Sequence, residues 1–259
     1  MNIEDFSLDF FSLQGKTAIV TGGNSGLGQA FALALAKGGA NIFIASYIND
    51  DGKTQAMLEK EGVKTAFMQV DLTQMGEPAK VVAACQETFG SVDILVNNAG
   101  MCINEPDVTK FDRSKWDPMV ALNLTAAFEL SHEAAKVMIP QRSGKIINIC
   151  SMFSYLGGQW SPAYTATKHG IAGLTKAYCD ELAQFNIQVN GIAPGYYATD
   201  ITKQTRANPE SNQRVLNHIP ANRWGETQDL MGAMVFLSSA ASNYVNGHIL
   251  AVDGGYLMR

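Results

Sequence analysis

The chain has 259 residues, a net charge of −5, 46% hydrophobic and 17% charged residues. That length supports a full hydrophobic core without staples, and the acidic balance argues against nucleic acid or an anionic membrane as partner. No apolar run reaches the length of a membrane span, and neither the four cysteines (Cys85, Cys102, Cys150, Cys179) nor the four histidines have metal-ligand spacing, so no metal site is expected.

The N-terminal stretch from Met1 to Gln14 has no basic residue, unlike a secretory signal, and reads as a short arm packed on the domain. The thiols read as reduced and the protein as cytoplasmic. No repeat or linker divides the chain, so residues 1–259 are expected to form one domain.

Strands are predicted at Thr17–Thr21, Asn41–Ala45, Thr65–Val70, Val92–Val96, Lys145–Cys150, Ile187–Asn190 and His248–Val252, runs rich in Val and Ile and continuous rather than alternating. Helical segments lie between them: Gly26–Lys37, stopped by Gly38-Gly39, then Thr54–Glu61, Ala79–Phe89, Lys115–Met138, Tyr164–Gln184 and Thr227–Ser238. Strand and helix alternate throughout. The predicted fold is therefore α/β, a doubly wound, Rossmann-type parallel sheet of about seven strands with helices on both faces. Ligands of such sheets sit beyond the carboxyl ends of the strands.

The first strand runs into Thr21-Gly22-Gly23-Asn24-Ser25-Gly26-Leu27-Gly28 and then a helix. Glycines allow a tight turn and bring bare N–H groups and a helix N-terminus against a pyrophosphate. Motif, position and chain length resemble the short-chain dehydrogenase/reductase family, and the resemblance spans residues 17 to 255. It implies that Gly22, Asn24, Ser25, Gly26, Leu27, Gly28 and Ser46 bind a dinucleotide. It further implies that Asp71 with Leu72 borders the adenine, that Asn97-Asn98-Ala99-Gly100 braces the sheet beside the cofactor, and that Pro194, Gly195 and Thr199 hold the nicotinamide.

Tyr164 and Lys168 stand four apart on one helix face, after Ser151 at the end of strand five. The resemblance makes Ser151, Tyr164 and Lys168 catalytic, with Asn123 as a fourth member that holds a water, and gives Lys168 hydrogen bonds to the nicotinamide ribose. The chemistry suits the residue types. Hydride reduction of a ketone leaves an alkoxide that needs a proton, a phenol can give it, and a nearby ammonium is expected to lower the phenol from its ordinary value near 10. Ser151 can orient the substrate oxygen.

Strand two ends in Ala45-Ser46-Tyr47, without the acid that accepts from the ribose of NAD and without a basic residue for the phosphate of NADP. Asp50 and Asp51 follow closely and would repel a phosphate, so NAD is favoured over NADP.

The segment from about 196 to 223 is expected to be a mobile cover over the substrate. It carries Lys203, Arg206, Arg214, His218 and Arg223, which suit an anionic substrate, with Arg206 as the expected contact. Gln159 and Trp160 are expected to line the pocket beside Ser151 and Tyr164. The runs Asn190–Thr199, His218–Gly225 and Tyr244–Tyr256 resemble the sugar-acid branch of the family, which implies a gluconate-type sugar acid or a polyol as small-molecule substrate. The competing readings are a 3-oxoacyl thioester reductase and a dinucleotide sensor without catalysis. The resemblance also implies a homotetramer.

Overall fold

The β-branched runs become strands because neighbouring strands and helices cover both of their faces. In this computed structural model, which describes residues 3–259 (for Ile201 the backbone alone), the strands are β1 (Thr17–Thr21), β2 (Asn41–Ser46), β3 (Thr65–Gln69), β4 (Ile94–Asn97), β5 (Gly144–Ile149), β6 (Ile187–Pro194) and β7 (Ile249–Val252). They form one seven-stranded sheet in the order β3-β2-β1-β4-β5-β6-β7, and every pairing is parallel. Strands β1, β4, β5 and β6 are buried at every position. The expected doubly wound sheet is thus observed, with β6 four residues longer at its carboxyl end than the sequence suggests.

The helices are α1 (Gly26–Lys37), α2 (Lys53–Glu59), α3 (Glu77–Phe89), α4 (Arg113–Val120), α5 (Ala126–Gln141), α6 (Pro162–Leu182), α7 (Lys203–Ala207), α8 (Pro209–His218) and α9 (Met231–Ser238). One core joins Phe31 and Leu35 of α1, Leu58 of α2 and Met234 of α9 to Val20, Ile42, Ile44 and Ile147. The opposite core joins Val81, Leu130, Met138 and Leu182 to Ile19, Phe43, Leu95 and Ile146. Successive strand residues point to opposite faces, so Ile19 and Val20 belong to different cores. Among the described residues no helix is long and apolar enough to cross a membrane.

Three local readings change. The predicted helix from Lys115 to Met138 is interrupted by a π-helical turn at Ala121–Thr125, which separates α4 from α5 and contains Asn123. Such turns widen a helix locally and cluster at functional sites. The segment 196–223 holds two short helices, and Asn208 caps α8 by accepting from the Ser211 N–H at 2.9 Å, with Pro209 at its first position. The N-terminal arm packs through its turn at Leu8–Phe11, against Ala240–Ser242, and through Leu13. Phe11 meets Phe236 at 6.4 Å and Leu13 is buried, while Ile3, Phe6 and Leu8 stand exposed. Met1 and Asn2 of the predicted arm lie outside the described residues.

A buried polar network ties the two middle strands to the helices behind them. Asn97 Nδ2 donates to Asn148 Oδ1 at 2.8 Å and to Ser131 Oγ at 2.9 Å, and Asn148 Nδ2 donates to Thr175 Oγ1 at 2.9 Å. Removing Asn97 takes away the donor to the buried Asn148 Oδ1 and leaves that acceptor without it, while Asn148 Nδ2 and Ser131 Oγ keep their other partners. Asn97→Ala is therefore expected to lower stability by about 1–3 kcal/mol, read as a lower urea midpoint at unchanged slope; an unchanged midpoint would show the network to be energetically idle.

Candidate active site

The sheet order reverses between β1 and β4, and the loops that leave these strands part there to open a crevice. Thr21 closes the seam beneath it. Its Oγ1 accepts from the N–H groups of Asn98 and Ala99, both at 2.9 Å, and Asn98 Nδ2 donates to Thr21 O at 2.8 Å. Above the seam the glycine turn fits tightly. A Cβ on Gly28 would lie 2.1 Å from Gly22 O, and Gly22 and Gly26 have φ of +62° and +50°, where glycine is favoured. Ser25 makes no side-chain cap hydrogen bond and the first recorded bond from α1 to its cap is Gln29 N–H to Ser25 O, so the first-turn N–H groups stay available to a ligand.

A dinucleotide suits this cradle on a second count. Asn24 donates to Ile48 O at 2.9 Å, but its Oδ1 is buried without a partner, an acceptor waiting for a hydroxyl beside the end of β2. Ser46, Leu72 and Asn98 lie along the same carboxyl edge, Ser46 and Leu72 buried. Asp71 sits two residues beyond β3 and spends its carboxylate on its own turn, accepting from Thr73 N–H at 3.0 Å, Thr73 Oγ1 at 2.7 Å and Gln74 Nε2 at 3.0 Å. These bonds hold its carboxyl below the ordinary range, those from Thr73 foremost.

Beside the crevice, β5 delivers Ser151 and α6 delivers Tyr164 and Lys168. Ser151 caps a single 3-10 turn: its Oγ accepts from Phe153 N–H at 3.2 Å, and Ser154 Oγ accepts from Ser151 N–H at 3.2 Å. Ser154 Oγ in turn donates to Lys168 O at 2.7 Å and so pins α6 to this turn. The Ser151 hydroxyl lies beside the half-buried Tyr164 phenol, whose ring meets Phe153 edge-on at 6.2 Å. Lys168 Nζ lies 5.5 Å from the centre of the Tyr164 ring and donates to Ile149 O at 2.6 Å. Asn123, from the π turn, brackets Met101. It accepts from Met101 N–H at 2.8 Å and donates to Met101 O at 2.9 Å and to Thr167 Oγ1 at 3.3 Å.

The electrostatics differ from the sequence expectation. Burial pushes the Tyr164 phenol up to about 12, with the Cys102 and Cys150 thiols adding to the rise and the Ser151 hydroxyl opposing it. Burial also pushes the Lys168 ammonium down. In the protein alone, desolvation sets the direction for both groups, and the expected lowering of the phenol is not found.

The remaining predicted positions divide. Pro194 ends β6, a Cβ on Gly195 would lie 2.8 Å from Asp253 Cα, and Thr199 caps the next turn. Arg206 donates to Thr199 O at 3.0 Å and to Thr202 Oγ1 at 3.3 Å, so its guanidinium braces the Thr199 turn. Of the other cations, Arg223 is spent on Asp229, at 2.6 and 2.9 Å, and is removed from the set that could meet a substrate. Gln159 and Trp160 are exposed; Trp160 has φ of +66°, unusual for a bulky residue, and its carbonyl accepts from Glu105 N–H at 2.8 Å.

Sequence reasoning missed the roles of Thr21, Ser154 and Thr167. The spacing of Ser151 and Ser154 was a readable capping signal. The other two depend on contacts between distant segments.

The short chain dehydrogenase family model matches residues 16–210. Across its full length the chain is 74% identical to an Escherichia coli (strain K12) protein named as an uncharacterized oxidoreductase, which it covers completely. It is 46% identical to the 2-dehydro-3-deoxy-D-gluconate 5-dehydrogenase of Bacillus subtilis (strain 168), over 97% of this chain and 98% of that one. A crystal structure of a gluconate 5-dehydrogenase from Burkholderia cenocepacia J2315, in complex with NADP and tartrate, superposes with a TM-score of 0.92 at 35% identity, covering 98% and 100% of the two chains. Sequence, sheet order and glycine cradle agree: the chain belongs to the short-chain dehydrogenase/reductase family, whose oxidoreductase chemistry uses a nicotinamide dinucleotide.

Proposed function

We propose that the enzyme interconverts a secondary alcohol and a ketone on a gluconate-type sugar acid or related polyol, with Tyr164 as acid/base. The observation that carries this reading is the meeting of Ser151, Tyr164 and Lys168 one strand away from the β1–β4 crevice. In the reduction direction the Tyr164 phenol gives its proton to the developing alkoxide, and Ser151 holds the same oxygen in place. Lys168 favours the phenolate that remains, and Asn123, fixed by Met101, shapes the floor beside it and holds the water that leads from Lys168 to solvent. A nicotinamide dinucleotide held by the glycine turn and by Thr199 would supply or accept the hydride and, when oxidised, would add positive charge beside the phenol.

For the substrate, the support is the 46% identity to a sugar-acid dehydrogenase over nearly the whole chain. The segment 196–223 acts as the substrate's mobile cover, with Lys203, Arg206 and Arg214 as its candidate cations and Gln159 and Trp160 on the opposite wall. An assay of keto sugar acids, simple ketones and an acetoacetyl thioester tests the class; turnover of the thioester alone would favour the 3-oxoacyl reading. The four free thiols suit a cytoplasmic enzyme.

NAD is the proposed cofactor. No basic residue stands at Asn24, Ser46 or Tyr47, and Lys53, the cation nearest in sequence, is paired with Asp51. The NADP in the Burkholderia relative supports the second reading. We propose a homotetramer as well, because α5 and α6 leave Phe128 exposed, stacked with His132 at 6.1 Å and leaning on Tyr178 at 6.5 Å.

Tyr164→Phe should lose about 10²- to 10⁴-fold in turnover while still binding cofactor. In the parent enzyme oxidation needs the phenolate and reduction the phenol. With the phenol raised by burial, oxidation should climb with pH between 6 and 9, up to roughly tenfold per unit, while reduction should not. A Phe variant with near-normal turnover would remove Tyr164 from the chemistry. The ratio of kcat/KM for NADH over NADPH is expected to exceed roughly tenfold, about 1.4 kcal/mol of discrimination; a ratio below one overturns the NAD reading. Light scattering at micromolar concentration should give four times the chain mass, and a monomer would refute the assembly.

A further inference from the structure

The amino edge of the sheet, opposite the active site, contains a cavity of about 180 Å³. It lies between the starts of β4, β5 and β6, the N-terminal arm at Leu13, and the turn after α9. A water occupies about 30 Å³ of liquid, so the space holds roughly six waters or one small ion with part of its shell.

Its lining mixes polar and apolar surface and carries one uncompensated charge. Lys145, the second residue of β5, is only 9% exposed. Its Nζ donates to Asn243 Oδ1 at 2.9 Å and to Ser242 Oγ at 3.3 Å, which leaves one of its three N–H donors without a protein partner. Among the described residues no carboxylate pairs with it. The other charged residues on the lining are Lys16 and Asp93, and these pair with each other at 3.2 Å. Asp93 is further engaged by Thr17 N–H at 3.0 Å and Ser91 Oγ at 2.8 Å. Two ammonium groups therefore face one carboxylate that is already used. The buried amide of Gln188 and the side chain of Asn186 complete the wall; Gln188 Nε2 donates to Asn186 Oδ1 at 3.5 Å and Asn186 Nδ2 to Arg142 O at 3.0 Å, which leaves each amide one further N–H.

A buried cation without a counterion is costly, and proteins resolve it by losing the proton or gaining an anion. We propose that this cavity is a second binding site, separate from the catalytic one, for a small oxyanion of the phosphate or sulfate type, seated on Lys145 and flanked by Lys16 and Gln188. The six residues of β5 put it roughly 20 Å from the catalytic end of the same strand. Burial, followed by the charge of Lys16, pushes the Lys145 ammonium down to about 8. An oxyanion binds the charged form, so affinity should fall as pH rises through that value.

The probes are inorganic phosphate and sulfate, compared with sodium chloride at matched ionic strength. Melting is followed on protein saturated with whichever nicotinamide dinucleotide it turns over, so that the glycine turn is already filled. At ten times Kd the ratio of folded to unfolded protein should gain about elevenfold, a rise of a few degrees in Tm. The rise should shrink between pH 7 and 9. It should vanish in Lys145→Met and Lys145→Gln and persist in Lys145→Arg, while all three variants keep kcat/KM within about twofold. An equal rise with chloride, a rise that survives in the Met and Gln variants, or no rise in the parent protein overturns the proposal. If Met and Gln both fail to fold, loss of the rise between pH 7 and 9 in the parent protein decides it, and a pH-independent rise counts against the site.

Discussion

The hydrogen bonds that join Thr21 to Asn98 and Ala99 govern most of what the molecule can do. They fasten the ends of β1 and β4 at the one place where the sheet order reverses. With these ends closed below, the chains leaving them must diverge above, and the divergence is the crevice. The tightness of Gly28 against Gly22 O then follows, because α1 starts immediately over the seam and leaves no room for a side chain. The N–H groups that would serve a pyrophosphate are exposed as a by-product of that packing.

A similar closeness creates the chemistry beside the crevice. Ser154 pins Lys168 to the turn that carries Ser151, so an ammonium and a phenol are held in a poorly solvated corner. Burial there works against both charged forms. A free phenol raised to about 12 is a reluctant base but a secure proton donor. Under the proposed mechanism, positive charge brought by an oxidised nicotinamide would offset this burial and tie proton transfer to occupancy of the crevice.

Much of this could be read in the sequence. The strands of the sheet announced themselves because burial on both faces demands continuous Val and Ile, and β1 and α1 matched to the residue. The Tyr164–Lys168 spacing on a helix was equally plain. What could not be read were effects of distant segments on one another. The π turn at Asn123 arises where its side chain bonds the Met101 backbone, and a helix-period pattern carries no trace of that. Arg223 looked like a free cation in the sequence because Asp229, its partner, has no signature marking it as one. The direction of the phenol shift was misjudged for the same reason: neighbouring charge is visible in the sequence and desolvation is not.

The two ends of β5 show how one strand meets the same electrostatic problem twice. Lys145 at its start and Lys168 beyond its end are both buried, and neither finds a carboxylate. At the carboxyl edge the ammonium rests on the Ile149 carbonyl, next to a cradle built to bring in a dinucleotide. At the amino edge it rests on Asn243, next to a cavity that it shares with Lys16. Parallel sheets with both faces covered have only their edges for charged groups to reach solvent or ligands. A lysine that begins or follows a central strand is thus held where its charge can be completed from outside, and the same burial that makes it costly gives an arriving anion or dipole its leverage.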